Sequence, residues 1–205
     1  MKKTISFCLY GNDRKYWKGA LENIRLSRIH YPGWNCKFYI SADSPRDLIE
    51  MIQKEDCQTA LIPPFQAHSC RLWRFYAADD SDIMICRDTD SRLSKREALA
   101  VEDWLKSDKQ FHIMRDHPLH DALIPAGMWG CRNTSGMKDL IDGFPDQGAP
   151  NSDQQFLALY IYPQVKEHAI IHDSYDLFND GVPFPSERIG DEFVGAAYDE
   201  NGNII

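Results

Sequence analysis

The run Asp82-Ile83-Met84-Ile85-Cys86-Arg87-Asp88-Thr89-Asp90-Ser91-Arg92-Leu93 decides how this chain is read. Asp82 to Cys86, with the apolar run Ile83-Met84-Ile85-Cys86, predicts a short buried strand. That strand runs directly into two aspartates separated by one residue, which sets two carboxylates over a single crevice. Hard carboxylate oxygens suit Mg2+ or Mn2+. Such a cation can bridge two phosphates and neutralise charge on a departing diphosphate. An Asp-x-Asp alone is weak, since such pairs are common on solvated turns. Its place at the end of a buried strand gives it weight.

Upstream, Ile5 to Tyr10 reads as another buried strand, stopped by Gly11-Asn12-Asp13. Residues 14–30 follow a helical period, with Trp17, Ala20, Leu21, Ile24 and Leu26 toward one side, and Tyr31-Pro32-Gly33 ends the helix. Cys36 to Ile40 is a second strand, Ser44-Pro45 opens a helix over 45–54, and Thr59 to Ile62 is a third strand closed by Pro63-Pro64. A helix over 69–78 carries Leu72, Trp73, Phe75 and Tyr76 up to the deciding strand. Downstream come a helix over 94–106 and a strand, Phe111 to Met114. This rhythm predicts an α/β fold with a mostly parallel central sheet and helices on both faces. In such sheets ligands sit beyond the carboxyl ends of strands, where Tyr10-Gly11, Ser41-Ala42-Asp43 and Asp88-Thr89-Asp90 fall.

The second half is less regular. Gly127 to Arg132 reads as a short strand, Ser152 to Tyr160 as a helix capped by Ser152 with Phe156, Leu157 and Leu159 on its apolar surface, and Ala169 to Ile171 as a strand ending at His172-Asp173. Asn201-Gly202 is a turn signal. The chain has 31 acidic and 23 basic residues, a net charge of −8, which argues against a nucleic-acid partner. No apolar run approaches the ~20 residues that span a bilayer, and the apolar stretch after Lys3 is too short for a secretory signal. The six cysteines form no C-x-x-C pair and fit buried, reduced thiols, so a cytoplasmic location is expected.

The deciding run resembles the Asp-x-Asp segment of glycosyltransferases with the GT-A fold. Tyr10-Gly11-Asn12 looks like the end of their first strand, which lines the nucleotide pocket, and Arg71-Leu72-Trp73-Arg74-Phe75 is similar to the basic helix that reaches the diphosphate. The likeness is strongest over the first 130 or so residues and is most similar to small retaining enzymes of bacteria and viruses. It implies one GT-A domain over residues 1–205, with a nucleotide-binding half (1–93) and an acceptor- and metal-completing half (94–205). It implies a UDP-sugar donor, Mn2+ or Mg2+ as cofactor, a glycan or other hydroxyl acceptor and a role in polysaccharide biosynthesis.

The resemblance also distributes roles. Asp153-Gln154 is similar to the Asp-Gln pair of retaining enzymes, where the aspartate touches the donor sugar and the glutamine lies near the anomeric carbon; a first-turn helix residue is the bland alternative for Asp153. A late histidine completes the metal shell in those enzymes, which makes His172 the candidate third ligand beside Asp88 and Asp90, with Asp173 as alternate; a histidine hydrogen-bonded at a strand end is the bland alternative. Ala126-Gly127 resembles the segment under the donor sugar, although Pro125 replaces the amide expected there. The nucleotide-sugar set is then Tyr10, Gly11, Asn12, Asp43, Arg71, Asp88, Thr89, Ala126 and Gly127. From their place in or beside the loop after the fifth predicted strand, His117, His120 and Trp129 are acceptor candidates, the indole as a flat face for a sugar ring; surface histidines and a core tryptophan are the bland alternatives.

Three rivals stay open: a sugar-phosphate nucleotidyltransferase, a haloacid dehalogenase-type phosphohydrolase and a non-catalytic nucleotide-sugar-binding module. The first needs a glycine-rich loop after the first strand, where Tyr10 to Arg14 has one glycine. The second needs its Asp-x-Asp after the first strand of the domain, not the fourth.

Overall fold

The protein is described by a computed structural model covering residues 1–63, 70–145 and 151–205. Pro64 and Ser69, at the ends of a predicted strand closure and a predicted helix, lie outside the described residues.

A seven-stranded sheet holds the molecule together. Its strands are β1 (Lys3–Leu9), β2 (Asn35–Ser41), β3 (Gln58–Ile62), β4 (Ile83–Cys86), β5 (Phe111–Arg115), β6 (Trp129–Arg132) and β7 (Ala169–Asp173), in the spatial order β3-β2-β1-β4-β6-β5-β7. β1 pairs parallel with β2 and β4, β2 with β3, and β5 with β7. β6 runs antiparallel to both β4 and β5. The connection before it, residues 116–128, contains no helix to cover a parallel crossover. The predicted strand there begins two residues late, because Gly127 and Met128 belong to a turn in which the Met128 amide donates to the Pro125 carbonyl at 2.9 Å.

Both faces of the sheet are covered, as the unbroken apolar strands require. On β4, Met84 and Cys86 join a core with Trp73, Phe75, Trp129 and Phe156, while Ile83 and Ile85 join the opposite core with Trp17, Phe38 and Trp104. Helix α1 (Arg14–His30) starts on Asp13, whose carboxylate accepts from the Lys15 amide, and buries Trp17, Ala20 and Ile24. Helix α2 (Arg46–Gln53) covers the same face near β2. The predicted helix before β4 is tighter: a 3-10 segment, Cys70–Tyr76, passes into a single α turn, α3 (Ala77–Asp80).

Helix α4 (Lys95–Lys106) begins with the sequence Ser94-x-x-Glu97, and the Ser94 hydroxyl accepts from the Glu97 amide at 3.3 Å. Helix α5 (Met137–Asp142) follows β6, and the predicted 152–160 helix is broken in kind. It starts as α6 (Ser152–Phe156), widens into a π segment (Leu157–Ile161), and continues as α7 (Tyr162–Val165). The wider turn buries Ile161 and leaves Leu159 68% exposed, so Leu159 is not on the apolar surface. Ser152 is not the cap either: Asn151, at φ 61°, precedes the helix, and the buried Ser152 hydroxyl has no hydrogen-bond partner among the described residues.

Candidate functional site

The chain runs outward from β1 through β2 to β3, then returns across β1 to β4. That reversal opens a crevice beyond the carboxyl ends of β1 and β4, where sheets of this kind bind ligands. A cavity of about 390 Å³ occupies it, lined by Tyr10, Arg71, Arg74, Asp88, Thr89, Asp90, Ala126, Gly127, Asp153 and Gln154 among others. The structure thus brings together most of the residues singled out by sequence.

The Asp-x-Asp loop is fixed from behind. Arg87, 1% exposed, donates to Glu97 at 3.0 Å and to the Cys86 carbonyl at 2.7 Å, and the Tyr31 hydroxyl donates to the same Glu97 oxygen at 2.7 Å. Asn23 of α1 donates to the carbonyls of Thr89 and Ser91 and accepts from the Leu93 amide. Gly19 lets α1 approach: a Cβ there would lie 2.0 Å from the Thr89 carbonyl oxygen. With the backbone held on two sides, the carboxylates of Asp88 and Asp90 have little choice but to face the cavity.

Arg74, rather than the expected Arg71, is the centre of the cavity's charge. It is 3% exposed, and its guanidinium joins Asp88 to Asp153, with the Asp153 contact at 3.0 Å. The signal was its position three residues after Arg71 on a segment leading into β4. Its partner 79 residues away was invisible. Arg71 also lines the cavity, beside Tyr10. Lys15 lies 3.3 Å from Asp90. Burial, and then the negative charge of Asp88, push the Asp90 carboxyl above its ordinary range, against the pull of Lys15. Cys8 lines the same cavity, but burial pushes its thiol up to about 12, which removes it as a nucleophile near neutral pH.

Several expected residues are elsewhere. His172 does not join the carboxylates. β6 and β5 separate its strand from β4, a distance of about 14 Å at ordinary strand spacing. Its Nδ1 shares a 2.8 Å hydrogen bond with His112 Nε2, and its Nε2 lies 3.4 Å from Asp103. The alternate, Asp173, is buried against Arg115 at 3.2 Å. Among the described residues no cluster of three His, Cys, Asp or Glu side chains is placed to hold a metal ion. Trp129 is no acceptor platform, being 1% exposed and packed edge-on against Phe75. Asp43 accepts from its neighbour Ser41 and, like Gly11 and Asn12, does not line the cavity. His120 lines it and His117 does not; His117 stacks on Phe193 at 4.3 Å.

The pair Asp88–Asp90 nevertheless suits a divalent cation. Two hard-oxygen ligands share one wall of the cavity, and a cation between them would offset both the burial and the like charge that raise Asp90. Ions such as Mg2+ keep several waters and take phosphate oxygens, so a third protein ligand is not required.

No protein-family model and no curated relative matches the chain. Solved structures do. A mannosyltransferase from Pyrobaculum calidifontis, solved with GDP-mannose and Mn2+, is 12% identical with a TM-score of 0.50, over 82% of this chain and 55% of that one. Glucosyl-3-phosphoglycerate synthase from Mycobacterium tuberculosis, solved with phosphoglyceric acid, is 13% identical with a TM-score of 0.52, over 91% and 73%. A cytidylyltransferase from Leptospira borgpetersenii is 11% identical with a TM-score of 0.50, over 84% and 77%. The chain spans 55% of the mannosyltransferase and 54% of S. aureus TarS, little more than half of each. No helix among the described residues is long and apolar enough to cross a membrane. The sheet order, the crevice between β1 and β4 and these likenesses together give one conclusion: the chain has the GT-A fold of nucleotide-diphospho-sugar transferases.

Proposed function

We propose that this protein moves a glycosyl group from a nucleotide-sugar, with UDP as the favoured nucleotide, to a hydroxyl of a glycan or related acceptor, with retention at the anomeric carbon. The observation that carries the reading is the convergence of Asp88, Asp90, Asp153, Arg71 and Arg74 on one cavity at the strand switch. Three carboxylates with two guanidiniums fit a cation and a diphosphate better than they fit either alone. In the reaction, the bond between the anomeric carbon and the phosphate oxygen breaks, and its electron pair leaves with the diphosphate. The acceptor oxygen forms the new bond, and its proton passes to the departing phosphate or to solvent. Mn2+ or Mg2+ bound at Asp88 and Asp90 would neutralise charge on the leaving diphosphate.

The chain's own groups do the placing. Arg71 holds the diphosphate at the cavity mouth, and Tyr10 borders the nucleotide. Ala126 and Gly127 lie under the sugar. Arg74 holds Asp153 in register with Asp88, and Gln154 follows on the same helix. Residues 1–93 supply the nucleotide side of this cavity and residues 94–205 the acceptor side.

Substituting Asp88 or Asp90 by Ala should lower release of nucleoside diphosphate from a UDP-sugar with Mn2+ by about 10²–10³-fold, the usual scale for losing one charge-stabilising contact. Turnover equal to that of the unmodified protein would remove both residues from the mechanism. The likeness to a cytidylyltransferase favours a second reading, nucleotidyl transfer to a sugar phosphate. Pyrophosphate released from CTP and a sugar phosphate, without UDP-sugar turnover, would select it.

A further inference from the structure

The cavity has two unlike walls. Arg71 and Arg74 lie toward β1 and β4, whereas the rim built by the β5–β6 loop contributes Leu119, His120, Asp121, Ala122 and Pro125, with no cation. Leu119 is 79% exposed there, an apolar side chain held in water at the mouth of a polar cavity.

His120 supplies the hydrogen-bonding group of this rim, and the backbone fixes its proton. The Asp116 amide donates to His120 Nδ1 at 3.1 Å. An amide N–H can only donate, so Nδ1 is the bare nitrogen and the neutral ring carries its proton on Nε2. Burial, and then the neighbouring His117, hold the ring neutral, with its pKa down to about 4. Phe193 packs edge-on against it at 5.6 Å, which seats the ring. His120 is therefore a fixed, uncharged N–H donor. It is neither a base at Nε2 nor a counter-charge for an anion.

We propose that this rim is the acceptor subsite, and that it takes an uncharged hydroxyl compound with an apolar face, such as a neutral sugar or its alkyl glycoside, oriented by the Nε2–H of His120. The proposal rests on reading the cavity as a glycosyl-transfer site. A phosphate or carboxylate placed on the rim would meet Asp121, and the charge of Arg74 is already shared between Asp88 and Asp153. A sugar ring or alkyl chain instead covers Leu119 and Pro125, while its hydroxyl accepts from His120.

The test is calorimetric titration of the full chain, first with UDP and Mn2+, then, at saturating UDP and Mn2+, with methyl and octyl β-D-glucopyranoside against glucose 6-phosphate and glucuronate. A neutral glycoside should bind about tenfold or more tightly than either anion. His120→Phe should weaken the neutral glycoside about three- to tenfold, the scale of one lost hydrogen bond, and His120→Gln, which retains an N–H donor, should recover most of it. Asp121→Lys should admit glucose 6-phosphate. Anions binding as well as glycosides, neither glycoside binding, or His120→Phe binding like the unmodified protein would overturn the subsite. Failure of the first titration with UDP and Mn2+ would instead sink the glycosyl-transfer reading beneath it.

Discussion

A Cβ at position 127 would lie 1.8 Å from the Asp88 carboxylate oxygen Oδ2, so only glycine lets the β5–β6 loop pass over the Asp-x-Asp loop. Gly127→Ala should turn the Asp88 side chain out of place. Displacements of about 1 Å cost up to about a hundredfold in rate, so UDP-sugar turnover should fall by about ten- to a hundredfold while the circular dichroism spectrum is retained. Full turnover would mean that Asp88 is free to move without consequence. At this scale the sequence was most legible where chemistry is local. Asp88 and Asp90 were marked by the strand in front of them, and Asp153 by its helix start. Arg74 was not separable from Arg71, because an arginine's importance depends on which carboxylates reach it. Those of Asp88 and Asp153 come from distant segments. His172 was assigned by chain order, and order along the chain does not say how many strands lie between two residues.

The elements are joined by buried polar contacts that periodicity does not report. Between β5, β7 and α4, the ring of His112 stacks on Trp104, and its Nε2 bonds His172, which faces Asp103. Burial is the main cause holding both imidazoles below the ordinary histidine range; His172 further depresses His112, while Asp103 partly offsets the shift at His172. Both stay neutral when folded. The unfolded chain, with ordinary histidines near about 6.5, takes up protons that the folded chain refuses. Stability is therefore fully present above about pH 6.5 and falls as the pH drops below it. His120, at about 4, adds to the same trend. The melting temperature should decline between pH 7 and pH 5, and His112→Asn should flatten that slope. An unchanged slope would place the acid sensitivity elsewhere. Helices α1, α2 and α4 and strands β2, β4 and β5 lie within a residue of their expected bounds, because burial on one helix face or both strand faces recurs at fixed spacing, whereas the short α5 has no counterpart in the sequence reading. The π segment after α6 escaped, since one extra residue per turn leaves no mark in the apolar pattern.

The molecule as a whole is closed by Asp116, which is fully buried at the end of β5. Its carboxylate accepts from Arg96 of α4, from Ser174 after β7, and from Arg188 and the Val194 amide of the C-terminal segment. Burial pushes its carboxyl up, but these hydrogen bonds, led by Arg96, outweigh burial and hold it below the ordinary range. Asp116→Asn leaves two arginines short of their counter-charge. It should cost about 3–5 kcal/mol in urea unfolding, the scale for breaking a buried ion pair from one side. A loss near zero would show that the C-terminal segment is held by other contacts. Gly195 and Ala197 of that segment line the cavity and the Tyr198 amide donates to the Asp90 carbonyl at 2.8 Å, so ligand binding should tighten the whole. At a hundred times its dissociation constant, a UDP-sugar with Mn2+ should raise the melting temperature by about 5–10 °C. From sequence alone came the α/β class, a buried strand over Asp82–Cys86, one residue longer than β4, and the acidic pair it delivers, because these follow from patterns a few residues long. Tertiary structure alone set the strand order. That order brings Asp153 and Arg74 to Asp88 and leaves His172 three strands away, because strand neighbours are chosen by how whole faces pack rather than by any local pattern.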